Sequence, residues 1–193
     1  MPQTLVSLNT SNARALVVEG REVMSGIVKR SVAGPVDVGL MGVAGDEQAD
    51  QSVHGGLSKA VYAYPSEHFA FWQTVRAQAK VAAWGDVLPP GALGENLTLQ
   101  GLLETEAWVG DVLRFADCEL AVSEPRFPCF KFNAVMGFKQ ASKLMAANAW
   151  CGFYLAVRSP GTLRAGESFE LIAGPREVGI TELFRSRISS ARQ

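Results

Sequence analysis

The chain is poor in the residues that build metal centres and disulfide frameworks. Among 193 residues there are three cysteines, Cys118, Cys129 and Cys151, and two histidines, His54 and His68. An odd, widely spaced set of cysteines fits reduced thiols better than disulfides. With no Cys-x-x-Cys pair and so few histidines, a structural zinc site is not expected. An excess of one charge is also missing: 18 Lys and Arg against 19 Asp and Glu leave a formal net charge of −1. No overall basic excess attracts nucleic acid or an anionic membrane, so neither is expected as a partner. The first residues, MPQTLVSLNT, lack a basic region followed by a long apolar stretch, and no apolar run approaches bilayer length. The expectation is a soluble, cytoplasmic protein. No Gly-x-Gly-x-x-Gly follows a strand and no P-loop occurs, which removes the main support for nicotinamide and P-loop chemistry. Flavin, haem and iron–sulfur motifs are absent, as are internal repeats and low-complexity segments.

What is present describes an ordinary folded domain. Apolar residues make up 48% and charged residues 19%, enough for a full core. The 19 glycines fall mostly between short β-like runs, which implies many tight turns. Strands are expected at 4–8, 13–18, 35–43, 60–64, 97–99, 111–115, 119–123, 153–157 and 167–173. In the third of these, Val36, Val38 and Leu40 share a face. Helices are expected at about 65–79, with Phe69, Trp72, Val75 and Ala79 on one face, at about 138–147, and from about 181 toward the end. Regular βαβ alternation is missing. The expected fold is therefore a mixed, β-rich one with inserted helices, closing into a distorted barrel.

Three segments are too specialised to be dismissed as turns. The first runs Gly42-Val-Ala-Gly-Asp-Glu-Gln-Ala-Asp50 and continues into His54-Gly-Gly-Leu-Ser-Lys59. Its glycines let backbone N–H groups turn inward as an anion nest, with Lys59 adding charge, His54 a hydrogen bond, and Asp46 and Asp50 orienting them. A glycine-rich connection with solvated acids is the plain alternative. The second, Gly94-Glu-Asn-Leu-Thr98, offers Asn96, whose amide suits a heterocycle edge; it also reads as a simple turn into a strand. The third, Ser123-Glu-Pro-Arg-Phe-Pro-Cys129-Phe-Lys131, brackets a cysteine with prolines and cations. Arg126 and Lys131 favour the thiolate, the form that binds metals or attacks electrophiles. Cys118 and Cys151 lack flanking cations and read as buried structural thiols.

A thiolate at position 129 admits two chemistries. One is nucleophilic catalysis with His54 as base, oriented by Asn96 or Asp46. The other is ligation of a soft, redox-active metal. One cysteine cannot hold such a metal alone, so further sulfurs would have to come from a cofactor.

The motifs Ser25-Gly-Ile-Val-Lys29, Gly45-Asp-Glu-Gln-Ala-Asp50, His54-Gly-Gly, Lys59-Ala-Val-Tyr-Ala-Tyr-Pro65, Gly94-Glu-Asn-Leu97 and Pro128-Cys129, in this order, resemble those of MOSC-domain proteins. They are most similar to the bacterial subgroup linked to resistance against N-hydroxylated purines. The matching motifs span about residues 20–175.

The resemblance implies a MOSC-type β-barrel-like fold over residues 1–175 and a short C-terminal helical tail over residues 176–193, the latter similar to the opening of the helical domain of longer relatives. It implies a molybdenum–pterin cofactor whose dithiolene gives the metal two sulfurs, with Cys129 as protein ligand and catalytic residue. Lys29 matches the motif associated with the pterin phosphate. Arg30, His54, Asn96, Arg126 and Lys131 are further cofactor-binding candidates. The implied activity is reduction of N-hydroxylated compounds, such as hydroxylamino purines, to amines, with electrons from a separate reductase. Phe127, Phe130 and Trp150 are candidates for stacking on a purine, or plain core residues. Two rivals stand beside this reading: a cofactor carrier or sulfur-transfer module without substrate turnover, and a metal-free cysteine hydrolase using His54.

Overall fold

Short alternating apolar runs separated by glycine turns give the expected sheet-rich architecture. The computed structural model describes residues 3–49 and 55–190. In chain order the strands are β1 (Thr4–Thr10), β2 (Arg14–Val18), β3 (Arg21–Ser25), β4 (Arg30–Ser31), β5 (Val36–Gly39), β6 (Gly42–Val43), β7 (Val61–Pro65), β8 (Leu97–Gln100), β9 (Val112–Arg114), β10 (Glu119–Pro125), β11 (Phe153–Ser159), β12 (Gly161–Leu163) and β13 (Glu170–Ile172). The helices are α1 (Phe69–Gln78), α2 (Phe130–Met136), α3 (Ala141–Asn148) and α4 (Ile180–Ser190).

Eight strands form one mixed sheet in the order β13-β9-β10-β11-β7-β8-β1-β4. Among the described strands only β7 and β8 run parallel. The segment between them carries α1, the kind of crossover that a parallel pair requires. Strands β12, β5 and β6 make a small second sheet, and β2–β3 is a separate hairpin.

The expected barrel does not close among the described residues. The outer edge of β1 is divided. At its end, Asn9 and Thr10 pair with Ser31 and Arg30 of β4. At its start, Thr4 makes an isolated bridge to Ser168, and Leu5 N–H donates to the Glu167 carbonyl at 2.8 Å. A register shift between Leu5 and Ser7 separates the two halves. The first strand thus touches the segment before β13 without a continuous ladder.

Three local expectations also need correction. The run 35–43 is two strands, because the chain turns at Leu40 and Met41, and both side chains are exposed. Val38 is buried and Val36 packs partly against the core, so only Leu40 leaves the expected face. On α1, Trp72 is fully buried with Phe69 and Val75 beside the core, but Ala79 lies past the last turn and is exposed. The helix expected at 138–147 is α3, which starts at Ala141, and the short α2 before it was not expected. Gly137 ends α2 in the left-handed conformation at φ +83°, where a residue without Cβ carries no steric penalty.

One core joins these parts. Leu5, Leu97, Leu99, Leu113, Leu120 and Phe153 from the main sheet are fully buried against one another. Trp72 of α1 and Phe132 of α2 meet edge to face at 5.5 Å. Ile180 and Phe184 of α4 are also fully buried in this cluster. The C-terminal helix is therefore packed into the domain rather than appended to it.

Candidate functional site

The largest concentration of site candidates sits in a cleft with about 640 Å³ of empty space including its mouth. One wall is the end of β3 and the loop after it, carrying Ser25, Ile27 and Lys29. The facing wall is the end of β10 and the entry to α2, carrying Arg126, Cys129 and Lys131. Tyr62 of β7 and Tyr154 of β11 also line it.

Lys29 is the most buried cation on the first wall. Its ammonium pairs with Asp46 Oδ1, and the two side chains are only 7% and 5% exposed. The same Asp46 oxygen accepts from the Ser11 backbone N–H at 2.9 Å, which fixes the carboxylate. Burial lowers the Lys29 pKa, while Asp46 and Glu95 oppose that shift. The Lys29 backbone is backed by the loop 91–95. A Cβ on Gly91 would stand 2.8 Å from the Lys29 carbonyl oxygen, and one on Gly94 would stand 2.8 Å from Ile27 Cγ1. Both glycines have positive φ, so the close approach and the turn need the same residue. Glu95 holds this loop from inside, accepting from Gly91 N–H at 2.6 Å, Leu93 N–H at 3.1 Å and Thr98 Oγ1 at 2.8 Å.

Asn96 lines the cleft, yet its amide is tied to the sheet. Oδ1 accepts from Tyr62 N–H at 3.1 Å and Nδ2 donates to the Asn9 carbonyl at 3.2 Å. The residue bridges β7 and β1 where the two are held apart by β8.

On the second wall, the Arg126 guanidinium is buried. It lies over the Tyr62 ring at 5.4 Å and the Phe132 ring at 5.0 Å, and Nη1 reaches Met145 Sδ at 3.6 Å. Among the described residues it forms no ion pair. Burial raises the pKa values of Tyr62 and Tyr154, and Arg126 partly offsets both shifts. Both phenols are therefore neutral at physiological pH. Cys129 is half-buried at the residue preceding α2, in an extended conformation. Its carbonyl accepts from Phe132 N–H at 2.9 Å and Ser142 Oγ at 3.5 Å, which ties the cysteine to both α2 and α3. Lys131 Nζ donates to the Met24 carbonyl at 2.9 Å, joining α2 to the β2–β3 hairpin. Lys59 also lines the cleft, 3.8 Å from Glu124 Oε2.

The structure thus brings together Cys129, Lys29, Asn96, Arg126 and Lys131. Arg30 is exposed and lines a neighbouring hollow instead. His54 lies outside the described residues, as does Asp50. The aromatic candidates go elsewhere: Phe127 stacks on Phe184, Trp150 stacks on His68 at 4.5 Å, and Phe130 is exposed. The aromatic lining is Tyr62 and Tyr154, which sequence reasoning did not single out as site residues. Cys118 and Cys151 are buried and do not line the cleft, although the Cys151 carbonyl accepts from the Tyr62 hydroxyl at 2.9 Å; burial drives the Cys118 thiol up to about 11 and the Cys151 thiol higher than its ordinary value.

Residues 50–170, more than half of the chain, match the MOSC domain family. The chain belongs to the MOSC family. Among its relatives, YflK of Bacillus subtilis (strain 168) is 34% identical over 186 residues, covering 96% of this chain and 80% of YflK. The crystal structure of YiiM from Geobacillus stearothermophilus matches this MOSC domain with a TM-score of 0.77 at 30% identity, over all of this chain and 87% of that one. A Gibberella moniliformis (strain M3125 / FGSC 7600) protein named a reductase is 34% identical over 157 residues, but this chain spans only 27% of its length. MOSC domains in general are associated with molybdenum-cofactor binding, and the motif order of the sequence and the matched fold agree on the family. Among the described residues no helix is long and apolar enough to cross a membrane.

Proposed function

We propose that this MOSC domain holds a molybdenum–pterin cofactor in the cleft and reduces N-hydroxylated compounds, such as hydroxylamino purines, to amines. The observation that carries the reading is the pairing of one cysteine with converging cations in a single cleft. Among the described residues, no group of three His, Cys, Asp or Glu side chains is placed to hold a metal ion. Cys129 is a single soft donor in the described lining, and on this reading the other ligands arrive with the cofactor. The buried, ion-pair-free Arg126 fits the same group, because a buried guanidinium without a counter-charge is costly and an anionic ligand offsets that cost.

When bound, the group supplies two-electron reducing chemistry at the metal. The chain's own residues have definable tasks around it. Cys129 presents its thiolate, held by the bonds that fix its backbone to α2 and α3. Lys29, oriented by Asp46, and Arg126 neutralise the phosphate. Lys131 braces the cysteine helix against the β2–β3 hairpin and adds positive charge at the rim. Tyr62 and Tyr154 stay protonated and line the cleft as neutral aromatic walls, the Tyr62 hydroxyl donating to the Cys151 carbonyl at 2.9 Å. Conversion of an N-hydroxyl to an amine consumes two electrons and two protons and releases water; a separate reductase delivers the electrons.

The test is turnover. Protein from a cofactor-competent host, supplied with reduced methyl viologen, is expected to convert a hydroxylamino purine to the aminopurine, and Cys129→Ala is expected to abolish the conversion. Molybdenum-loaded wild type that reduces no N-hydroxylated compound would favour the carrier or sulfur-transfer role.

A further inference from the structure

Beside the cleft lies a second hollow, of about 620 Å³. Arg14 opens β2 and pairs in register with Ser25, and Arg30 opens β4 and pairs with Thr10. The hairpin and the β1–β4 ladder therefore set the two arginines around one concavity, with Ser11 between them and Leu16 and Val28 giving it an apolar side. No acidic residue among the described ones lines it, and neither arginine forms an ion pair among them. Ser25 lines both this hollow and the cleft, so the two adjoin. Asp46, which pairs with Lys29 in the cleft, accepts from the backbone N–H of Ser11, which lines the hollow.

We infer that the hollow is a phosphate subsite for a nucleotide whose base occupies the cleft. This rests on the reading of the cleft as the place where a purine is reduced, and narrows its substrate class from free bases to phosphorylated ones. Two guanidinium groups match the planar, forked hydrogen bonding that a phosphomonoester accepts. Leu16 and Val28 give a sugar an apolar surface to lie against. A small ligand is favoured over a polyanion, since a net charge of −1 provides no extended positive field. Arg30 serves the phosphate of this ligand, not that of the cofactor.

Calorimetric titration of protein from a cofactor-competent host with AMP, adenosine and inorganic phosphate tests the inference. Wild type binds AMP about tenfold or more tightly than adenosine, as expected for charge-assisted hydrogen bonds. The double variant Arg14→Ala/Arg30→Ala binds AMP only as well as adenosine and leaves adenosine binding unchanged. Both arginines are exposed, so the variant keeps the wild-type thermal midpoint. Equal binding of AMP and adenosine by wild type overturns the inference. So does an AMP preference that survives in the double variant, or one that is lost only in Lys29→Ala. Molybdenum content of the same samples separates the two readings: an AMP preference in protein that takes up no cofactor upholds the hollow alone, and its absence in loaded protein removes the hollow alone.

Discussion

Phe184 lies face to face with Phe127, their ring centroids 5.2 Å apart and their planes 14° from parallel. Phe127 stands two residues before Cys129, so the C-terminal helix supports the segment that presents the cysteine. Phe184 is fully buried. Phe184→Ala is expected to cost about 3–5 kcal/mol of stability, and Phe184→Leu clearly less. Urea unfolding measures both. A cost below about 1 kcal/mol for the alanine variant would show that α4 is not part of the core.

The Lys29–Asp46 pair gives a stability difference with a defined pH dependence. Burial sets the folded Lys29 pKa below the ordinary lysine value of 10.5, so the folded state loses this proton first as pH rises. The cost of the buried ammonium is present below the folded pKa and fades as pH rises from there toward 10.5. Asp46→Asn leaves that ammonium without its partner and is expected to cost about 3–5 kcal/mol at neutral pH. The gap to wild type narrows as the lysine deprotonates. Urea unfolding at neutral pH and near the lysine titration range checks this, and a pH-independent gap would contradict it.

The three thiols should differ sharply in reactivity. Cys118, with its thiol near 11, and Cys151, fully buried and raised, have little thiolate at neutral pH and little access. In cofactor-free protein a maleimide is expected to modify Cys129 more than about tenfold faster than either. Peptide mass spectrometry reads the sites. Protection of Cys129 in cofactor-loaded protein is the accompanying expectation.

Gly91 sits where backbone meets backbone. Gly91→Ala combines a positive φ with a Cβ 2.8 Å from the Lys29 carbonyl oxygen. A cost of about 2–4 kcal/mol is expected, together with weaker cofactor retention because Lys29 must shift. Thermal unfolding and metal analysis of the variant test the two parts separately.

Much of the sheet was legible because β1, β7, β10 and β11 carry dense apolar runs of strand length. The failures have local causes. β3, β4 and β12 are short and largely polar, so period-2 alternation has too few residues to register. α2 is seven residues long, closed between Pro128 and Gly137, too short for a helical period to emerge. Barrel closure depends on how the edge of β1 is shared between β4 and the 166–168 segment, which no local pattern encodes. For the site, the motifs located Lys29, Arg126 and Cys129 because chemistry-bearing residues stood beside glycines and prolines. Arg30 was grouped with Lys29 by sequence proximity, but adjacent residues in extended chain point to opposite sides, and it faces the other hollow. Tyr62 and Tyr154 meet only when β7 pairs with β11, at a ring separation of 5.5 Å.

The most direct measurement is the molybdenum and pterin content of wild type and Cys129→Ala, purified in parallel from a cofactor-competent host. Near-stoichiometric metal and pterin in wild type, with metal lost or strongly reduced in the variant, is the expected result. Well-folded wild type that contains neither would contradict the assignment of the cleft and of Cys129.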